Sequence, residues 1–238
     1  MIKLYQFAPA WEIPNLSAFC IKTEVYLKMG NLPYEIVSTL PLKGPKGKLP
    51  FIEDTGHRVA DSRFIIEYLN KHYDCDPDKD LTTTEKAIST ALQRLLEDDL
   101  YWSVMYTRWV VPANWEKNRE AVFSRLPLPI KHVVSRLVRG QIKKQIYGHG
   151  MGRHSEQEIY QLGKKSLTAL SDFLTDKPYF MGDRPTTVDA SAFGMLANII
   201  WCPIESPLKE HALKLKNLVA FCERMKQRYY FDTTAKAA

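Results

Sequence analysis

Three short segments near the start of the chain hold the residues best suited to chemistry. The first contains Ser17, the second contains Leu49-Pro50, and the third is Asp61-Ser62. Each lies where the residue pattern predicts that a strand or a helix begins. Unpaired backbone N–H groups and short polar side chains are therefore expected to meet at these points.

Ser17 is predicted to open a helix. The first turn of a helix carries unpaired N–H groups and a partial positive charge, and both stabilise a thiolate placed there. Lowering a thiol pKa by about two units takes roughly 2.7 kcal/mol, which a serine hydroxyl and helix amides can supply. The alternative is that Ser17 only caps its helix, as serine commonly does. Cys20, one turn further, is expected to pack inward as a small apolar residue.

The other two segments are suited to holding an amino acid or a short peptide. A cis bond at Leu49-Pro50 would leave the preceding backbone groups free to pair with an extended peptide. Ser62 and its helix amides can hold a carboxylate, while Asp61 can pair with an ammonium group. Each pattern also has a plain structural explanation, an edge proline in one case and a helix N-cap in the other.

The elements that must position these residues alternate between strand and helix. The pattern predicts four strands, at 2–7, 34–39, 49–53 and 57–60, and two helices, at 17–29 and 61–73. Together they form a βαβ unit, a hairpin and a closing helix, which is a small mixed sheet with helices. The fold class predicted for this half is α/β.

The rest of the chain is predicted to be helical. Capping boxes open three of its helices, at Thr82–Glu85, Ser155–Glu158 and Thr186–Asp189. A long helix is predicted over 85–110, and within it Arg94 and Glu97 are candidates for a buried pair or a substrate contact. We expect an α/β domain over 1–75, a linker over 76–84, an all-α domain over 85–231 and a frayed tail over 232–238.

Composition excludes several classes of protein. The four cysteines are widely scattered, so neither a disulfide framework nor a zinc site is predicted. The acidic linker approaches the spacing of a calcium loop, but Lys79 replaces the turn glycine and Pro77 intrudes, so no metal is predicted. No apolar leader and no membrane-length run is present, and the simplest expectation is a cytoplasmic protein.

The charge is unevenly distributed. Residues 1–80 carry a net charge of −1, and residues 81–238 carry +7. Between Lys117 and Lys144 eight basic residues accompany one acid, and apolar residues recur there at helical spacing, at Ile130, Val133, Val134, Leu137, Val138 and Ile142. The expectation is a basic amphipathic helix with a solvated face, and contact with an anion or a membrane surface is the alternative. Nucleic acid is not predicted, because no reader motif or interleaved aromatic residues are present.

The order and spacing of these segments resemble the glutathione transferase family. The N-terminal likeness covers residues 2–73, and stretches 19–24, 47–53 and 61–66 are similar to its failed-axon-connections and metaxin-like branch. The likeness continues at 93–97, at Tyr101-Trp102 and at 152–155. Residues 180–189 resemble the helix-capping segment of the family's C-terminal domain. The resemblance implies a thioredoxin-like α/β domain followed by an all-α helical domain.

The resemblance also implies roles for individual residues. Ser17 would activate the thiol of glutathione, the co-substrate. Leu49 would offer its backbone to the cysteinyl part of glutathione, and Pro50 would be the cis proline. Asp61 and Ser62 would hold the γ-glutamyl end.

Further residues would complete a site between the two domains. Lys48 or Lys46 would meet the glycyl carboxylate of glutathione. The second substrate would bind in a pocket lined by four aromatic residues, Trp11, Tyr101, Trp102 and Tyr106. Residues 8–14 form an unusually long loop before Ser17, which would either shift the usual geometry or place Trp11 over the site.

We therefore predict a glutathione S-transferase-like enzyme that activates the thiol for attack on a small, apolar electrophile, as in detoxification. The first alternative is a non-catalytic interaction module of the same fold. The second is a thiol–disulfide reductase that uses Cys20, and the absence of a cysteine at position 17 speaks against it. The resemblance further implies a homodimer.

Overall fold

A four-stranded mixed sheet organises the first part of the chain. The structure, a computed structural model, describes residues 1–11 and 13–231, so the predicted tail at 232–238 lies outside it. The strand order is β2-β1-β3-β4, with β1 at Ile2–Gln6, β2 at Tyr34–Ser38, β3 at Phe51–Asp54 and β4 at His57–Ala60. β1 and β2 are parallel, while β3 is antiparallel to both β1 and β4. This is the predicted βαβ unit followed by a hairpin.

Two helices accompany the sheet, α1 (Ala18–Met29) and α2 (Ser62–Tyr73). Each begins one residue later than predicted, because Ser17 and Asp61 are the N-caps. β3 starts two residues later than predicted, after Leu49-Pro50, because proline has no N–H to give to a ladder.

The second part of the chain is helical, as predicted. Its helices are α3 (Thr83–Arg94), α4 (Tyr101–Trp109), α5 (Pro112–Phe123), α6 (Leu128–His149), α7 (Glu156–Leu174), α8 (Thr187–Ile200), α9 (Pro207–Lys214) and α10 (Lys216–Lys226). All three predicted capping boxes are present. The long helix predicted over 85–110 is interrupted by a π-helical turn, Leu95–Leu100, between α3 and α4. The fold class is thus confirmed as a mixed-sheet domain followed by a helical one.

The core lies where α1 packs on α8. Residues 20–27 of α1 are buried without interruption, and every residue of α8 is buried. The two helices approach so closely at Gly194 that a methyl group there would overlap the carbonyl oxygen of Ala18. A helix that is buried all round has no solvent face, so the amphipathic pattern of a surface helix is absent from both.

A buried ionic network joins the two parts of the chain. Lys22 of α1 lies 2.6 Å from Glu97 of the π turn, and Ser191 of α8 donates to the same carboxylate oxygen at 2.8 Å. Arg63 at the start of α2 reaches the other oxygen at 3.1 Å. Burial lowers the pKa of Lys22. Glu97 therefore belongs to a buried ion-pair network rather than to a substrate contact. Its partners are Lys22 and Arg63, whereas Arg94 pairs with an exposed aspartate at the surface.

α6 packs on α4 and α5 through one side only. Val134, Val138 and Ile142 face the protein, whereas Ile130, Val133 and Leu137 are exposed. The six apolar residues of the predicted amphipathic helix therefore divide between two faces. Within 1–11 and 13–231, no helix is both long enough and apolar enough to cross a membrane.

Candidate functional site

The three sequence segments meet at one end of the sheet. Tyr5 of β1 lies opposite Phe51 of β3, which lies opposite Ala60 of β4. The chain therefore leaves β1 and β4, and enters β3, at the same edge. Cys20 of α1 and Leu49 join Phe51 and Ala60 in one buried apolar cluster at this edge. The structure thus brings the loop before α1, Leu49-Pro50 and the start of α2 together.

Ser17 occupies the N-cap of α1 and is half-buried. Its hydroxyl oxygen accepts from the amide of Cys20 at 3.4 Å, and its own amide donates to Asn15 Oδ1 at 3.0 Å. A serine hydroxyl that accepts in this way keeps its proton for a further partner. The first-turn amides of α1 add donors that have no partner within the helix. This corner is suited to stabilising an anion such as a thiolate.

Cys20 is buried and cannot serve as the nucleophile. Its side chain is inaccessible to solvent, and burial raises the pKa of its thiol to about 12, although hydrogen bonding to Ser17 acts in the opposite direction. The thiol is therefore protonated at neutral pH. This confirms that Cys20 packs inward and removes the basis of the reductase alternative.

The long loop before Ser17 is held by the helical part of the chain. Arg108 of α4 donates to the carbonyl oxygen of Leu16 at 2.9 Å and to Asn198 Oδ1 at 2.7 Å. Asn198 of α8 donates in turn to the carbonyl oxygen of Asn15 at 3.2 Å. We call Arg108 and Asn198 the loop clamp. One weak signal in the sequence points to the clamp, because Asn198 is a polar residue within the most apolar helix.

The binding segments have an unusual local backbone. The Leu49-Pro50 bond is cis, as the family resemblance predicted. Asp61 has φ 83° and ψ 125°, a conformation that residues other than glycine rarely adopt. Its side chain accepts from the amide of Arg63 at 3.1 Å, and Ser62 beside it is buried. Backbone strain of the kind seen at Asp61 is concentrated at functional sites, where the surrounding structure maintains it.

The two candidate lysines differ in their surroundings. Lys46 lies over the ring of Phe64, with Nζ 4.1 Å from its centroid. Lys48 is exposed and forms no ion pair within the part of the chain that the structure describes. Lys48 is therefore the more available cation next to Leu49.

Two of the four predicted pocket aromatics lie towards Ser17. Tyr101 meets Phe19 of α1 edge to face, with ring centroids 5.1 Å apart, and burial raises its pKa to about 12. The ring of Trp11 lies 5.2 Å from the guanidinium carbon of Arg108. These aromatic rings therefore flank the first turn of α1 and the loop clamp.

The other two aromatics also contact residues of α6 and α7. Trp102 stacks on His149 of α6 at 4.5 Å, and Tyr106 approaches Tyr160 of α7 at 6.3 Å. On a helix, residues one and five positions after Tyr101 point about 100° and 140° away from it. The ring of Trp102 nevertheless lies 5.3 Å from that of Tyr101, edge to face, so the grouping of the four aromatics in one pocket stays a prediction. A surface depression of about 730 Å³ lies along α7 and includes none of the candidate residues.

Comparison with known families gives two matches. A model described as glutathione S-transferase N-terminal domain matches residues 18–114, and one described as glutathione S-transferase, C-terminal domain matches residues 163–225. The first match begins one residue after Ser17 and includes both binding segments. Residues 115–162 lie outside both matched stretches.

Individual relatives agree with the family models. The chain is 35% identical over 236 residues to isoprene-epoxide–glutathione S-transferase of Rhodococcus sp. (strain AD45), covering 96% of this chain and 99% of that protein. It is 36% identical over 245 residues to Failed axon connections of Drosophila melanogaster, covering 98% of this chain but only 59% of that protein. Human Metaxin-2 is 27% identical over 220 residues, which are 91% of this chain and 83% of Metaxin-2.

Solved structures share the fold. Glutathione transferase F7 from Populus trichocarpa superposes with a TM-score of 0.63 at 13% identity, over 100% of both chains. A glutathione S-transferase from Methylobacterium radiotolerans, crystallised with glutathione sulfonate, gives a TM-score of 0.63 at 15% identity over 98% of this chain and 92% of that one.

Proposed function

Since this chain belongs to the glutathione S-transferase family, we propose that it binds glutathione and activates the thiol for attack on a small electrophile. The observation that supports this most directly is Ser17 at the N-cap of α1, at the sheet edge where Leu49-Pro50 and Asp61-Ser62 also lie. The Ser17 hydroxyl and the first-turn amides are groups that would stabilise a thiolate at this helix end.

The proposed chemistry at Ser17 is electrostatic. The hydroxyl donates a hydrogen bond to the glutathione sulfur and favours its ionised form, so more thiolate is present at neutral pH. The residue itself forms no covalent bond. A single preorganised donor of this kind contributes about 10²–10³ in rate.

The proposed binding contacts use both ends of a short peptide. The Leu49 backbone pairs with the cysteinyl part of glutathione. Asp61 accepts from the γ-glutamyl ammonium, and Ser62 with the α2 amides donates to its carboxylate. Lys48, the more available of the two lysines, meets the glycyl carboxylate.

We propose an apolar epoxide as the second substrate, because the Rhodococcus relative is named for one. The thiolate sulfur forms a bond to an epoxide carbon, the C–O bond breaks, and the resulting alkoxide takes a proton from water. Trp11 and Tyr101 supply apolar surface beside Ser17. Cytoplasmic location, a homodimer and a domain boundary at 76–84 are proposed on the family resemblance and the composition.

The first test is calorimetric titration with glutathione and with S-methylglutathione. Binding of both, stronger for the free thiol above neutral pH, supports a working thiol site. Absence of binding at millimolar ligand contradicts the proposal. It would favour the non-catalytic interaction module, an alternative in keeping with the similarity to Failed axon connections and Metaxin-2.

The second test separates catalysis from helix capping. Ser17→Ala is expected to lower kcat/KM with isoprene oxide by about 10²–10³, while the Kd for glutathione changes little. Ser155→Ala is the matched control, because Ser155 caps α7 in the same way and its loss costs about 1 kcal/mol of stability. An unchanged rate in Ser17→Ala would remove this residue from the mechanism.

A further inference from the structure

The basic charge of the protein is concentrated in one stretch. Residues 121–155 contain seven Lys/Arg and no Asp/Glu, so they carry +7 of a chain whose total is +6. The remaining residues therefore sum to −1. This stretch contains α6 and lies within 115–162, outside both family-model matches. The charge is thus a property of a segment separate from the proposed thiol site.

α6 presents apolar residues to solvent beside these charges. Leu128, Ile130, Val133 and Leu137, which we call the α6 stripe, are between 52% and 70% exposed. The last three are spaced three and four residues apart, so they lie along one side of the helix. An added side-chain atom at Gly140, further along α6, would meet nothing within 4 Å. The outward side of the helix is therefore unobstructed there.

Part of the basic charge is already used inside the protein. Lys131 pairs with Glu120 at 2.5 Å, and Arg139 donates to the carbonyl oxygens of Trp109 and Val110. Arg153, after α6, donates to the carbonyl oxygen of Tyr147. The other four cations of the stretch are exposed and form no ion pair within the described residues: Arg125, Arg136, Lys143 and Lys144. They lie on α6 or just before it.

We propose that the α6 stripe and its flanking cations dock the protein onto the surface of an anionic lipid bilayer. An apolar stripe flanked by Lys and Arg on one helix is the pattern of helices that lie in the membrane interface. The aliphatic side chains insert among the headgroups, and the cations meet lipid phosphates. The helix lies on the bilayer and does not cross it.

Charge favours this occupant over a second copy of the chain. In a two-fold dimer each copy would present the same patch to its partner. Two stripes flanked by the same cations would then repel each other at close range. A bilayer offers both an extended negative surface and apolar volume, so it satisfies the charges and the stripe together.

The experiment is co-sedimentation of the full chain with vesicles. Pure phosphatidylcholine vesicles are compared with vesicles that also contain about 30 mol% phosphatidylserine, since anionic lipid attracts each nearby cation. We expect at least about tenfold stronger binding to the anionic vesicles, weakened by added salt. Equal binding to both, or no binding to either, overturns the proposal.

Variants separate the stripe from the charges. Val133→Glu with Leu137→Glu is expected to abolish vesicle binding, and Arg136→Gln with Lys143→Gln and Lys144→Gln to lower it at least about tenfold. Leu42→Glu is the matched control, because Leu42 is 90% exposed, next to Lys43 and far along the chain from α6. Loss of binding in the Leu42 variant as well would overturn the assignment to α6.

Two further outcomes identify a different occupant and would also overturn the proposal. The first is a dimer in sedimentation that the Val133→Glu/Leu137→Glu variant converts to a monomer. The second is binding of a polyglutamate peptide in place of vesicles. Circular dichroism checks that each variant is folded, and every substituted position is exposed, so no core contact is lost. Glutathione binding is not involved, so the result stands apart from the proposed enzyme activity.

Discussion

α8 and α6 are two helices of the same half of the molecule with opposite surroundings. Every residue of α8 is buried, and its polar side chains Ser191 and Asn198 reach Glu97 and the loop before Ser17. α6 is covered on one side and leaves an apolar, basic side exposed. The difference indicates that α8 positions the candidate site, whereas α6 is free to contact something outside the protein. Matched substitutions in the surroundings of the two helices test this division.

The largest difference is expected between two carboxylates. Glu97→Gln leaves the Lys22 ammonium buried without a counter-charge, and we expect the free energy of unfolding to fall by about 3–5 kcal/mol. Glu120→Gln removes the partner of Lys131 below α6, where Glu120 is exposed and screened by solvent, and should destabilise the fold far less. Urea unfolding measures both. If both variants lose a similar free energy of unfolding, the Lys22–Glu97 pair contributes no more to stability than the pair of Lys131 with an exposed glutamate.

Smaller effects on stability are expected at two glycines, and these two effects have opposite signs. Gly194→Ala forces α8 away from the carbonyl oxygen of Ala18 and should destabilise the fold by about 1–3 kcal/mol. Gly140→Ala adds a methyl group in open space on α6 and should stabilise it by up to about 1 kcal/mol. Thermal unfolding at one pH gives both values. A stabilised Gly194→Ala variant would contradict the close packing of α1 on α8.

The smallest effect is expected at two arginines that make similar contacts. Arg108 and Arg139 each donate to backbone carbonyl oxygens and face a tryptophan ring, at 5.2 Å and 4.6 Å from its centroid. Arg108→Gln loosens the loop before Ser17 and should lower kcat about fivefold to tenfold, roughly 1 kcal/mol, with KM for glutathione nearly unchanged. Arg139→Gln, on α6, should leave kcat as it is. Equal kcat losses would assign the effect to general destabilisation.

Local signals in the sequence predicted most of the fold. Capping boxes, turn residues and apolar periodicity depend on neighbours a few residues apart, so they mark helix starts at Thr82, Ser155 and Thr186 without any tertiary information. No local pattern in the sequence predicts the π turn at Leu95–Leu100. The ends of β3 and α2 shifted by one or two residues, as helix and strand ends commonly do.

The candidate site was only partly predictable, because several of its contacts are long-range. Lys22 would normally be assigned to a surface, and its burial depends on Glu97, 75 residues later. Arg108 meets Leu16 across 92 residues of chain, a pairing that no local pattern contains. Trp102 and Tyr106 are a different case, because the helix turns them about 100° and 140° away from Tyr101, yet the ring of Trp102 still meets that of Tyr101.

The network around Lys22 also bears on how the protein is synthesised. Lys22 leaves the ribosome roughly 170 residues before Ser191, on the order of 10 s earlier at about 5–20 residues per second. Until α8 exists, Glu97 lacks the Ser191 hydroxyl and the side of α1 that packs on Gly194 has no surface to dock on. The N-terminal half must therefore wait until α8 has been synthesised to acquire its final packing, and chaperones have that interval in which to hold it.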